Sequence, residues 1–195
     1  MQELPALPTP RCPVCAAPTP HGDTCGACLK TPPAFDATIA VWRYGFPLDK
    51  LIQALKFQHR LALAGLFAGA MRAEAPAHGD LILPMPLSSA RLRQRGFNQA
   101  MEIARPLARA LQLPLSIDDC RRTLDTAPQS SLPWKARRRN MRNAFECRTD
   151  LRDKTIVVID DVMTTGATLD ELARTLKRHG AVRVINWVVA RALRD

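Results

Sequence analysis

Val157-Val-Ile-Asp-Asp-Val-Met-Thr-Thr-Gly-Ala-Thr168 joins an apolar run to two adjacent carboxylates and then to a bend of hydroxyl and small residues. Valine and isoleucine in series favour a strand, and a short apolar run without alternation suits one covered on both faces. Open α/β sheets bind ligands beyond the carboxyl ends of their strands, where Asp160 and Asp161 stand. Thr164, Thr165, Gly166, Ala167 and Thr168 follow. Small residues there let backbone N–H groups close on an anion at a helix start, and the hydroxyls add donors. Two carboxylates repel a phosphate, so the pair must face sugar hydroxyls or a metal ion. A phosphate site beside a polyol site describes a phosphorylated pentose. No G-x-x-x-x-G-K-[ST] is present, so a P-loop nucleotidase has no support.

The flanking sequence predicts an α/β fold. Thr155–Ile159 is the β-branched run of the strand itself, followed after the turn by a helix to about His179, which Gly180 ends, and by a last strand over Val182–Ala190. Upstream, Asp80–Pro84 is a short buried strand that stops at Pro-Met-Pro, and Asn98–Leu111 is an amphipathic helix that Pro106 should kink. Ala37–Tyr44 reads as a further strand, ended by Gly45 and Pro47. Leu48–Ala75 has helical spacing, with Gln58-His59-Arg60 as a polar interruption between two helices. Strands alternating with helices indicate a parallel sheet with helices on both faces. Residues 1–34, rich in proline, cysteine and small residues, lack either period and form a separate segment before a domain over 35–195.

The chain of 195 residues is 47% hydrophobic and 24% charged, enough for a real core without disulfides. Its longest strongly apolar, uncharged run, Leu61–Met71, has 11 residues and falls short of the roughly 18 a membrane span needs. With no basic flank and apolar stretch at the N-terminus, the expectation is a cytoplasmic protein without membrane insertion. The net charge of +10 favours an anionic partner: a phosphorylated ligand, a nucleic acid or an acidic protein surface. It is concentrated between Arg121 and Arg142, where seven cations accompany one acid, Asp125, although a solvated basic loop would look the same.

The strand, acid pair and Thr-Thr-Gly turn, in that order, resemble the signature of type I phosphoribosyltransferases, which bind 5-phosphoribosyl 1-pyrophosphate (PRPP). The resemblance implies that Asp160 and Asp161 contact the ribose hydroxyls as the catalytic pair, and that Thr164, Thr165, Gly166, Ala167 and Thr168 hold the 5-phosphate. Pro84-Met-Pro-Leu87, the spaced Arg91, Arg93 and Arg95, and Gly96-Phe-Asn-Gln99 then resemble the ComF (competence protein F) branch of that superfamily. By that likeness Met85, Pro86, Leu87 and Ser88 take the pyrophosphate loop, and guanidinium groups suited to bidentate phosphate contacts make Arg91 and Arg95 its partners. The likeness implies Mg²⁺ bridging PRPP, release of pyrophosphate, and transfer to an unidentified nitrogen acceptor recognised by a variable hood, the N-terminal zone and residues 37–60. Arg122-Thr123 through Gln129 and Leu132 to Arg139-Asn140 and Ala144-Phe145 resembles a flap that closes over substrate and excludes water. It departs from the family at Leu124, commonly Arg, and Asn143, commonly Gly. Lys56-Phe57 resembles a family segment near the active site, and a solvated helix lysine is an equal reading. ComF-like proteins are associated with DNA uptake, so the rival is a PRPP or nucleotide binder without transfer, or a binder of single-stranded DNA through Arg121–Arg142 and Trp134.

Cys12-Pro-Val-Cys15 and Cys25-Gly-Ala-Cys28 are two C-x-x-C pairs nine residues apart, and four thiolates make a closed tetrahedral zinc site. Such a site is structural, and it explains how a segment with few core residues folds. Two disulfides are the competing account, His21 is an alternative ligand, and Cys120 and Cys147 read as isolated. The ComF resemblance includes a zinc knuckle of this kind, with Ala16 here where Gly is usual.

Overall fold

The computed structural model describes residues 4–123 and 144–193. After a proline-rich start come α1 (Gly26–Lys30), β1 (Ala37–Arg43), α2 (Leu48–Gln58), α3 (Ala62–Arg72), β2 (Leu81–Pro84), α4 (Ser89–Arg95) and α5 (Gln99–Leu111). They are followed by β3 (Cys120–Arg122), β4 (Phe145–Cys147), β5 (Thr155–Met163), α6 (Ala167–Arg178) and β6 (Arg183–Arg191). Among the described residues β1, β6, β5 and β2 form one sheet in that order, every pair parallel. Strands β3 and β4 make a separate antiparallel ribbon.

The unalternating Ile156-Val-Val-Ile159 run is explained by cover on both sides of β5. Val157 and Ile159 meet Leu48, Ile52, Leu55, Phe67, Ile103 and Leu107 from α2, α3 and α5. Ile156 and Val158 face a second core with Leu169, Leu172 and Leu176 of α6. Leu7, Cys12, Cys15 and Cys28 of the front segment share that second core, with Phe35 just after it. Truncating a leucine in either core to alanine is expected to cost about 2–5 kcal/mol. No described helix is long and apolar enough to cross a membrane.

The polar trio Gln58-His59-Arg60 does separate two helices: His59 takes a left-handed conformation, φ 55°, and ends α2. Helix α5 runs on through Pro106 to Leu111, although the proline's missing N–H removes one helical hydrogen bond. Arg91, Arg93 and Arg95 lie on α4, a helix not assigned from the sequence, which Ser88 caps at one end and left-handed Gly96 closes at the other. Cys120 and Cys147, read as isolated, lie opposite each other across the ribbon and join in a disulfide. The pairing of two short strands around a long connection, absent from the local sequence pattern, brings them together.

Candidate functional site

Strands β2 and β5 run side by side with Pro84 opposite Ile159, so the loops that follow them leave the same edge together. The two acids stand at this edge. Successive strand residues point to opposite faces, and only Asp161 is turned into the α2–α5 layer, where it is 4% exposed. Lys56 of α2 forms an ion pair with Asp161 Oδ2, and Gln99 Nε2 of α5 donates to Oδ1 at 3.4 Å. The Asp161 N–H donates to Asp160 Oδ1 at 2.9 Å, and Asp160 is half-buried.

These surroundings push the two carboxyls apart. Burial and the facing Asp161 charge raise Asp160 well above the usual carboxylate range. Burial also disfavours charge on Asp161, but the Lys56 ammonium and the hydrogen bonds from Asp160, Lys56 and Gln99 outweigh it and hold Asp161 below its ordinary value. Lys56, equally readable as a solvated lysine, is therefore part of the site. Its partner lies so far along the chain that only the packing of α2 on the sheet edge reveals it.

In the loop after β5, Gly166 adopts φ +78° and precedes α6. That left-handed conformation favours glycine, and a Cβ there would come within 2.7 Å of Met163 Cε and 3.6 Å of Phe35 Cζ. The Gly166 carbonyl accepts from Asp170 N–H at 2.8 Å, and Thr165 Oγ1 accepts from Ala167 N–H at 3.4 Å. The N–H groups of Thr164 and Thr165 meet no acceptor among the described residues. Thr164 is exposed and Thr168 half-buried. Unpaired N–H groups and a helix N-terminus on one side of a bend can receive an anion.

The loop after β2 is held more tightly. Met85 N–H donates to the Ile159 carbonyl at 2.8 Å, and Asn98 Nδ2 donates to the Met85 carbonyl at 3.0 Å. Met85, Pro86 and Ser88 are buried, with Leu87 half-buried. Arg95 Nη1 donates to Gln99 Oε1 at 2.8 Å, and its guanidinium lies 5.2 Å from the centre of the Phe57 ring. Burial lowers the Arg95 pKa; the charges of Asp161 and Asp160 oppose the shift, and Arg91 adds to it. Lys56, Arg91, Arg95, Gln99 and both acids thus form one electrostatic group. Ser88 also bridges to Arg122, so the root of the predicted flap starts at this loop. Most of that flap, with Trp134 and Arg139, lies outside the described residues.

At the front, the sulfurs of Cys12, Cys15, Cys25 and Cys28 lie within 4.8 Å of one another. Zinc–sulfur bonds of about 2.3 Å set the edge of a tetrahedron at about 3.8 Å, close to the 3.6 Å between Cys15 and Cys25 Sγ. The set fits one tetrahedral zinc ion. His21 is exposed and outside the cluster. Burial works against the Cys12 thiolate, yet N–H groups of Cys25, Cys15 and Val14 bring its pKa down to about 7. Burial pushes Cys15 and Cys28 up, the state that a bound cation would reverse. A cavity of about 760 Å³ separates this cluster from the threonine loop, with Cys15 and Cys28 on one wall and Thr164, Thr165 and Gly166 on the other.

A family model described as the phosphoribosyl transferase domain matches residues 98–195. Over 191 residues the chain is 36% identical to the DNA utilization protein YhgH of Escherichia coli K12, covering 93% of this chain and 84% of that protein. It is 34% identical over 183 residues to competence protein F of Haemophilus influenzae, covering 88% and 80%. It is 26% identical over 197 residues to competence protein ComFC of Bacillus subtilis, covering 93% and 78%.

Proposed function

This chain belongs to the competence protein F family of phosphoribosyl transferase domain proteins, and from that premise we propose that its sheet edge binds PRPP and transfers the phosphoribosyl group to a nitrogen acceptor. The observation that carries the reading is the juxtaposition of a paired-acid strand end with a loop whose Thr164 and Thr165 N–H groups meet no acceptor among the described residues on one side and the half-buried Arg91 and Arg95 of α4 on the other. Residues 1–34 serve as the zinc-bearing segment and 35–195 as the transferase-like domain. The four cysteines left as free thiols suit a reducing compartment such as the cytoplasm, whereas the Cys120–Cys147 disulfide points the other way.

Thr164, Thr165, Gly166, Ala167 and Thr168 take the 5-phosphate through backbone N–H groups, hydroxyls and the start of α6. Asp160 faces the ribose hydroxyls, and Asp161 positions that end of the strand through Lys56 and Gln99. Met85, Pro86, Leu87 and Ser88 shape the pyrophosphate loop, and Arg91 and Arg95 neutralise the negative charge that grows on the leaving oxygens. The bond from the anomeric carbon to pyrophosphate breaks with its electron pair leaving on oxygen; the acceptor nitrogen forms the new bond and gives up a proton. Magnesium, when it enters with PRPP, adds positive charge at the pyrophosphate, and the oxygen chemistry of Asp160 suits that hard cation. Cys12, Cys15, Cys25 and Cys28 hold zinc with no position left for substrate, a structural role.

Calorimetry with PRPP and Mg²⁺, followed by assay of pyrophosphate release with a panel of bases, tests the reading. Asp160→Asn with Asp161→Asn should abolish release while circular dichroism stays native; undiminished release would refute it. A place in DNA uptake, suggested by the names of the relatives and by the cationic Arg121–Arg142 segment, is a second reading. It requires single-strand affinity that falls steeply with salt, and a flat salt response would eliminate it.

A further inference from the structure

Arg191, the last residue of β6, is buried at the junction of the thiol cluster and the threonine loop. Its Nε donates to the carbonyl of Cys15 at 2.8 Å. Its Nη1 donates to the carbonyl of Met163 at 3.1 Å and also meets those of Thr164 and Ala192. Only a planar fork of donors reaches both groups at once, and a lysine ammonium has no such fork. Two more ties run beside it: Ala34 N–H donates to Asp170 Oδ1 at 2.7 Å, and the Phe35 ring lies against Gly166.

Peptide planarity gives these contacts a directional consequence. In a trans peptide the C=O and the next N–H point opposite ways. With the Met163 and Thr164 carbonyls turned to Arg191, the N–H groups of Thr164 and Thr165 are turned away from it. Those are the N–H groups that meet no acceptor among the described residues. The guanidinium thus fixes which way the loop presents its donors, and Cys15 fixes the guanidinium.

We propose that Arg191 couples the metal state of the thiol cluster to the threonine loop, so that zinc loading and phosphate binding strengthen each other. Arg191 is a positioning residue in this scheme: it acts through the Cys15, Met163 and Thr164 carbonyls. The ligand half rests on the function proposed above, whereas the coupling itself does not. Because coupling is reciprocal, zinc must raise affinity for a sugar phosphate by the same factor that the sugar phosphate raises affinity for zinc.

Hydrogen exchange on the full chain reads the coupling without any ligand. Stripping zinc by chelation, or Arg191→Lys in the zinc-loaded protein, should speed exchange of the hydrogen-bonded Ala167, Asp170 and Ala192 amides, which close on Thr165, Gly166 and Met163, about tenfold. Unchanged exchange there after zinc removal, with circular dichroism showing the sheet intact, would overturn the proposal. Should Arg191→Lys fail to fold, the stripped wild type decides alone. Ribose 5-phosphate titrations with and without zinc, beside zinc competition against a chromophoric chelator with and without ribose 5-phosphate, should give equal factors in the wild type and factors near one in Arg191→Lys. Factors near one in the wild type, or equally large ones in the variant, would refute the assignment to Arg191. Failure of the zinc-loaded protein to take up ribose 5-phosphate would remove the PRPP reading, and the exchange experiment would still decide the coupling.

Discussion

The loop after β5 and the loop after β2 leave neighbouring strands at one edge, yet they offer an anion different chemistry. The first presents backbone N–H groups and a helix start on a glycine bend, and it is held from behind by Arg191 and the thiol cluster. The second leads straight into α4, whose guanidinium groups it places at the edge, one of them packed on Phe57 and Gln99, and it is held by α5 through Asn98. A backbone site depends on the chain path and tolerates most side chains. A guanidinium site depends on charge and tolerates small changes of path. The same ligand should therefore respond to different perturbations at its two ends.

The largest expected effect separates the supports of the two loops. Chelating zinc should expose residues 12–28 to proteolysis while the sheet signal in circular dichroism persists, because structural zinc contributes on the order of 10 kcal/mol to such segments. Protease resistance unchanged by chelation would break the contrast, since neither loop would then depend on metal.

Next in size is the charge at the second loop. Arg95→Ala removes a charge-assisted contact that typically contributes about 1.5–3 kcal/mol, so PRPP affinity should fall roughly ten- to a hundredfold. Affinity for ribose 5-phosphate, which lacks the pyrophosphate, should hardly move. Equal losses for both compounds in calorimetry would show that the two ends are not separate.

Gly166→Ala tests the first loop through its path. The left-handed φ of +78° and the contact with Met163 should lower stability by about 1–2 kcal/mol in urea unfolding. Here ribose 5-phosphate affinity should fall along with that of PRPP. Preserved affinity for both would show that the bend does not set the donors.

The smallest effect at neutral pH concerns the acid between the loops. Asp161 titrates below its ordinary value in the folded protein, so its stabilising contribution is complete above its unfolded pKa and is lost as pH falls through the lower, folded one. Lys56→Met removes the ammonium that opposes burial, and the acid-unfolding midpoint should move to higher pH. A midpoint that stays in place would mean that Lys56 does not support the pair.

How much of this was legible in the sequence depends on how local each feature is. Ile156–Ile159, the acids and the Thr-Thr-Gly bend follow one another along the chain, so both the parallel sheet and the candidate site could be read from their order. The four cysteines were legible for the same reason. Lys56 was legible only through a resemblance that a solvated lysine matched equally well, and Arg191 and the Cys120–Cys147 pair were not legible, because each takes its meaning from a partner distant in sequence and brought near only by packing. Helix α4 was hidden differently: its arginines mask any apolar period, and only Ser88 and Gly96 at its ends mark it.

Calorimetric titration of the zinc-loaded chain with PRPP and Mg²⁺, repeated on Asp160→Asn, tests the central claim most directly. The account predicts one site per chain in the wild type and at least tenfold weaker binding in the variant, with the fold unchanged. A wild type that takes up no PRPP, or a variant that binds it equally well, would contradict it.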